Sequence, residues 1–142
     1  MSAEKTLDHW LAEYSLSHRH PANRIIHTVC VPAILFASIA LLWNVHLLGL
    51  RAAYLAMILV APFYLALGWR AAIIMAGQLL ICVLILSVWP RAVPLLPSAA
   101  GIFGAAWIGQ FVGHAIEGRR PKFLQDVMFL LIGPLWVVLK HR

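Results

Sequence analysis

Charge is what this sequence has least of. Only 11% of its 142 residues are charged and five are acidic, against about 25% charged in a soluble domain. A water-exposed domain of this length would have too little polar side-chain area to cover itself, whereas lipid accepts an apolar outer surface. Cysteine is equally scarce. Cys30 and Cys82 lie inside apolar stretches and neither belongs to a CxxC, so both read as small buried apolar residues rather than a disulfide framework. The first 20 residues hold no apolar h-region, which argues against a cleavable signal peptide. A Ser-His-Asp order, a glycine-rich phosphate loop and HExxH are all missing. The formal charge is nevertheless +6. Without a basic helix face or aromatic–basic interleaving it does not indicate nucleic acid. The cations sit in short connections between apolar runs and act as topology signals.

What is abundant is apolar sequence, 63% of the chain. Residues 4–17 place Leu7, Trp10, Leu11 and Tyr14 at spacings of three and four, the pattern of an amphipathic helix lying on a membrane surface. Pro21 stops that helix and permits a new one. Apolar runs follow at about 25–43, 52–67, 71–88 and 99–116, with Pro62 a candidate kink. Residues 123–139 form a fifth, shorter run interrupted by Gly133-Pro134. The expected fold is an all-α, polytopic membrane helix bundle forming one domain over residues 1–142. It has four full spans, an N-terminal amphipathic helix and a fifth, re-entrant or interfacial, C-terminal segment. With the N-terminus in the cytoplasm, Lys5, Arg19, Arg24, Arg70, Arg119, Arg120 and Lys122 fall inside and only Arg51 and Arg91 outside, so this orientation is preferred.

That topology brings His18 and His27 to the same membrane face as His114 and Glu117. His18 and His27 are nine apart, about 900° of helix, and so lie on opposite faces of a continuous one. The HPAN turn lets them meet, with Asn23 a candidate cap of the new helix. In the fourth span Gly101, Ala105, Gly109 and Gly113 recur every four residues, a stripe that admits a close neighbour. Gln110, His114 and Glu117 border it and should face the bundle interior. A His and a Glu three apart on a helix can share one ion, and intramembrane ionisable residues are usually functional. Three histidines and a carboxylate suit a transition metal better than Mg²⁺ or Ca²⁺. Closed zinc would be structural; open positions would suit Fe(II) and O₂; paired histidines could hold haem. His9, His46 and His141 read as ordinary interfacial histidines. The open functional alternatives are a haem-binding electron carrier, a metal-stabilised scaffold or transporter, and a zinc lipid hydrolase.

Two motifs narrow these. Tyr14, His18, Pro21, Asn23, His27 and Pro32 form the first; Trp107, Gln110, Phe111, Gly113, His114, Glu117, Arg120 and Pro121 form the second. Their order and spacing resemble the 2-hydroxy fatty acid dioxygenases of fungi and bacteria over nearly the whole chain. The resemblance implies Fe(II)-dependent α-oxidation, in which a 2-hydroxy fatty acid reacts with O₂ and loses one carbon. It implies His18, His27 and His114 as iron ligands, with Glu117 a fourth candidate. His20 stands where the family pattern has Asn, which makes it an added ligand candidate. The spacing from His114 to Glu117 is one residue shorter than in the fungal members. Arg119 or Arg120 would hold the substrate carboxylate, and Tyr14, Asn23 and Gln110 would orient the ligands. The expected protein is integral to a bacterial inner membrane, with a 2-hydroxy fatty acid, O₂ and membrane lipid as partners and its oligomeric state open.

Overall fold

The computed structural model describes residues 6–140; Lys5 and His141, read above, lie outside them. The chain is helical: α1 (Leu7–Ser15), α2 (Pro21–Trp43), α3 (Ala52–Ala66), α4 (Trp69–Ser87), α5 (Leu95–Glu117) and α6 (Phe129–Leu139). A two-strand pair, β1 (His46–Leu47) and β2 (Leu50–Arg51), separates α2 from α3, and a 3₁₀ turn at Lys122–Leu124 precedes α6. Among the described residues three helices, α2, α4 and α5, are long and apolar enough to cross a membrane. At about 1.5 Å per residue, their 19 to 23 residues match a hydrocarbon core about 30 Å thick. The second expected span forms as α3, only 15 residues long, and falls short of that thickness. Pro62 lies inside it without ending it. Large apolar side chains such as Ile58, Leu59, Leu80, Ile81 and Ile108 are exposed on these helices, as lipid-facing residues must be.

The chain divides into two compact units, one of residues up to Pro32 and from Ala106 on, the other Ala33–Ala105. The second packs Ile39, Ala40 and Trp43 of α2 with Ala53, Cys82, Leu86 and Ala99, so Cys82 is the buried apolar residue its context implied. Its turn after α2 falls between the apolar runs at 25–43 and 52–67. It is a tight antiparallel hairpin whose two corner residues, Leu48 and Gly49, both have positive φ (54° and 78°), as two-residue hairpin loops require. Arg51 donates to the Trp43 carbonyl (2.7 Å) and lies over its ring at 4.6 Å, satisfying an orphan carbonyl at the end of α2.

The first unit carries the site. Thr6 caps α1 by accepting from the His9 amide (3.3 Å). The apolar stripe of α1 packs on α6: Trp10 meets Phe129 edge to face (4.9 Å), and Tyr14 meets Trp136 (5.2 Å). The face expected to rest on lipid is therefore covered by protein. The break expected at Gly133-Pro134 does not occur, because α6 runs through it. Gly133 is needed there for closeness: a Cβ would stand 3.2 Å from the Tyr14 hydroxyl and 3.3 Å from Val31.

Candidate metal centre

His18 lies in the connection just after α1, His27 stands in the second turn of α2, and His114 is in the last turn of α5. Local rules fix the first two. The His18 Nδ1 bonds the Tyr14 carbonyl four residues back (2.6 Å), and the His27 Nδ1 bonds the Asn23 carbonyl four residues back (3.0 Å). A carbonyl only accepts, so each Nδ1 carries the proton and each Nε2 keeps its lone pair. The His18 ring stacks on Tyr14 (4.2 Å, 3°) and touches Trp136 (5.0 Å), which leaves it little freedom to rotate.

The three rings converge. Centroids lie 4.4 Å (His18–His27), 4.7 Å (His27–His114) and 5.0 Å (His18–His114) apart, with planes near perpendicular. One ring nitrogen from each lies within 4.8 Å of the others, and all three residues are buried. The Nε2 atoms of His27 and His114 are 3.1 Å apart. Ligand nitrogens about 2.0–2.1 Å from a metal stand about 3 Å apart across a right angle. The His18 Nε2 is buried with no hydrogen-bond partner, a costly arrangement for a lone pair that a metal would relieve. The donor set therefore fits a transition-metal ion.

Burial is the largest cause that pushes the His18 pKa down, from 6.5 to about 4, against the raising effect of its bond to Tyr14. The folded state thus keeps His18 neutral, the form that binds metal. In the unfolded chain it protonates near 6.5, so between about 6.5 and 4 the unfolded state binds more protons. Metal-free protein is expected to lose stability as pH falls through that window, and thermal unfolding in mild detergent checks this; a flat melting temperature from pH 7 to 4.5 would contradict it.

Glu117 is placed differently from a ligand. Its Oε1 accepts from the Arg19 amide (3.0 Å), and its Oε2 from the His20 amide (2.8 Å) and the Asn23 side chain (3.1 Å). These amides open α2, whose first N–H groups have no partner within the helix and favour a negative charge. The expected cap, Asn23, is itself the second link in this clamp: its Nδ2 also donates to the Ser17 carbonyl (3.1 Å). Glu117 and Asn23 together pin the 16–20 connection that carries His18. Gly118, with φ +72°, ends α5 immediately after Glu117. Glu117→Ala is expected to weaken metal retention about 10- to 100-fold without removing a histidine. Metal analysis after dialysis against a graded chelator measures it, and wild-type retention would disprove the clamp.

The other expected site residues separate. Gln110 is half-buried on α5, one turn before His114. His20 is exposed, its Nδ1 accepting from the Ala22 amide (3.2 Å), and lies outside the histidine cluster. Arg119 and Arg120 are exposed beyond α5. Of the glycine stripe, only Gly109 and Gly113 are closely approached, by Cys30 and Asn23 of α2; Gly101 has nothing within 4 Å, and Ala105 is exposed.

Residues 4–141 match the model of a family described as 2-hydroxy-palmitic acid dioxygenase Mpo1-like. The chain belongs to the Mpo1-like family. It is 30% identical over 131 residues to the 2-hydroxy-palmitic acid dioxygenase MPO1 of Saccharomyces cerevisiae, covering 90% of this chain and 75% of that one. No solved structure matches. In this Mpo1-like chain the residue most clearly missed from sequence is Trp136, fully buried against His18 and tied to Ser15 by its indole N–H (2.9 Å). Nothing in the fifth apolar run distinguishes it from an ordinary membrane tryptophan.

Proposed function

We propose that this Mpo1-like protein is an Fe(II)-dependent dioxygenase that uses O₂ to shorten 2-hydroxy fatty acids by one carbon. The observation that carries the reading is the buried trio His18, His27 and His114, two of whose rings are fixed at Nδ1 by backbone carbonyls, which leaves each Nε2 for the cluster. Three neutral imidazoles with open positions suit non-haem iron, which supplies the capacity to activate O₂. The stoichiometry closes: a 2-hydroxy acid plus O₂ gives the shortened acid, carbon dioxide and water. The three histidines hold the ion. Tyr14, Asn23 and Gln110 orient them, and Glu117 fixes the His18 segment. Arg119 or Arg120, at the end of α5, takes the substrate carboxylate through its planar fork, and the alkyl chain lies among the apolar helices. A haem carrier is disfavoured, because bis-histidine haem needs its two nitrogens on opposite sides of a macrocycle, whereas those of His27 and His114 are 3.1 Å apart.

The charge distribution supports an inner-membrane protein with a cytoplasmic N-terminus, α3 making the shortest of four crossings and α6 none. On this reading the substrate enters sideways from lipid, at the cytoplasmic face. Iron-loaded protein given 2-hydroxypalmitate in air is expected to yield the one-carbon-shorter acid, and none without O₂. Product formed equally under argon would point to hydrolytic chemistry, and no product in air would remove the assignment.

A further inference from the structure

Arg24 and Lys140 stand over the same indole. The Arg24 guanidinium is 5.6 Å and the Lys140 ammonium 5.0 Å from the Trp136 ring centre. Thr28 joins them: its hydroxyl donates to the Arg24 carbonyl (2.6 Å) and accepts from the Lys140 ammonium. Around them lies a cavity of about 330 Å³ lined by Pro21, Arg24, Ile25, Thr28 and Lys140. No acidic side chain lines it. Among the described residues Asp8 is exposed in the first turn of α1, Glu13 pairs with His9, Glu117 holds the 16–20 connection, and Asp126 accepts from the Met128 amide. Among the described residues no acidic side chain lines the cavity between these two like charges, and burial, followed by the nearby Arg24, pushes the Lys140 pKa down. Such a pair is stabilised by an anion. From the cavity, Ile25 and Val29, both 67% exposed and four apart on α2, form an apolar strip.

We infer that Arg24, Lys140 and Thr28 form a site for the anionic headgroup of a lipid whose chain lies along Ile25 and Val29. An oxyanion head meets a planar fork and an ammonium that the Thr28 hydroxyl holds in place, and the tail meets a surface that already faces lipid. Trp136 is the shared neighbour, in contact with both the cation pair and His18 (5.0 Å), so the site is one indole away from the histidine cluster. The inference stands on this geometry and does not depend on the reaction assigned above. A fatty acid carboxylate and a phospholipid phosphate offer the same chemistry.

The test is native mass spectrometry of the full chain, purified with its metal in neutral detergent. It is titrated separately with palmitate, phosphatidylglycerol and the uncharged methyl palmitate. At least one anionic lipid is expected to bind at one site, with affinity falling tenfold or more in the Arg24→Gln/Lys140→Gln double variant. Retention of palmitate alone identifies the carboxylate source, of phosphatidylglycerol alone the phosphate source, and of both a general anionic head. The Arg24→Lys/Lys140→Arg exchange keeps both charges and should bind within a few-fold of wild type. The inference is overturned if wild type binds neither anionic lipid, if the double variant binds as wild type, if methyl palmitate binds as tightly as palmitate, or if the charge-keeping exchange loses binding as fully as the neutral one.

Discussion

Purified His27→Ala protein is expected to contain no stoichiometric metal, and His114→Ala the same. Each change removes one of three donors from a cluster in which every imidazole is buried, so no water-exposed side chain can take its place. The nearest polar alternatives are engaged: Glu117 holds two backbone amides and Asn23, and the exposed His20 lies outside the cluster. The loss should therefore be nearly complete rather than graded, with turnover falling to background. Metal analysis with circular dichroism on the same samples separates loss of the ion from loss of the helices. A variant that keeps its helices and one metal per chain removes that histidine from the ligand set. The metal should also stabilise the folded state by mass action, so the wild-type protein alone should melt at lower temperature after chelation.

Gly113→Ala should be nearly as damaging, although it touches no ligand atom. A Cβ at this position would stand 2.2 Å from the Asn23 Oδ1 and 3.3 Å from the His27 Cε1. Asn23 cannot retreat, since its amide nitrogen bonds both Ser17 and Glu117. The helices must then separate, or the clamp must break. Overpacking of this kind costs about 1–3 kcal/mol, and here it also moves His27 away from His114. Gly101→Ala, on the same stripe but with nothing within 4 Å, should instead be neutral or stabilise by up to about 1 kcal/mol through helix propensity. Thermal melting and metal content of the two variants should diverge; similar behaviour would mean that Gly113 has no special packing role.

Much of this was legible beforehand because membrane helices are dictated by simple constraints. The apolar runs at 25–43, 71–88 and 99–116 emerge as α2, α4 and α5 with ends shifted by a few residues. The helices start earlier than their apolar runs because Pro21 and Trp69 begin them with residues that need not face lipid. Counting spans was enough to bring His18 and His27 to His114. What periodicity could not give was the use of each polar group. Glu117 carries the spacing of a ligand, yet it serves the amides of Arg19 and His20, because a helix start 97 residues away in sequence is invisible to local pattern. The role of Trp136 depends on α6 folding back over α1, a tertiary contact without a motif. The stripe of small residues was half informative: it marks where a helix can approach, but only Gly109 and Gly113 are approached.

His27 and His114 meet across 87 residues of chain, and that separation bears on how the protein is made. An ion shared at their junction would join two distant parts of the chain, and only in the folded state, because the donors come together on folding. The clasp is unavailable during most of synthesis: the ribosome must pass His114 before three donors exist. Helices inserted earlier have to persist in the bilayer on their own apolar surfaces. On the proposed function, metal acquisition would be a late step of biogenesis, one that locks together two distant parts of a chain already in place.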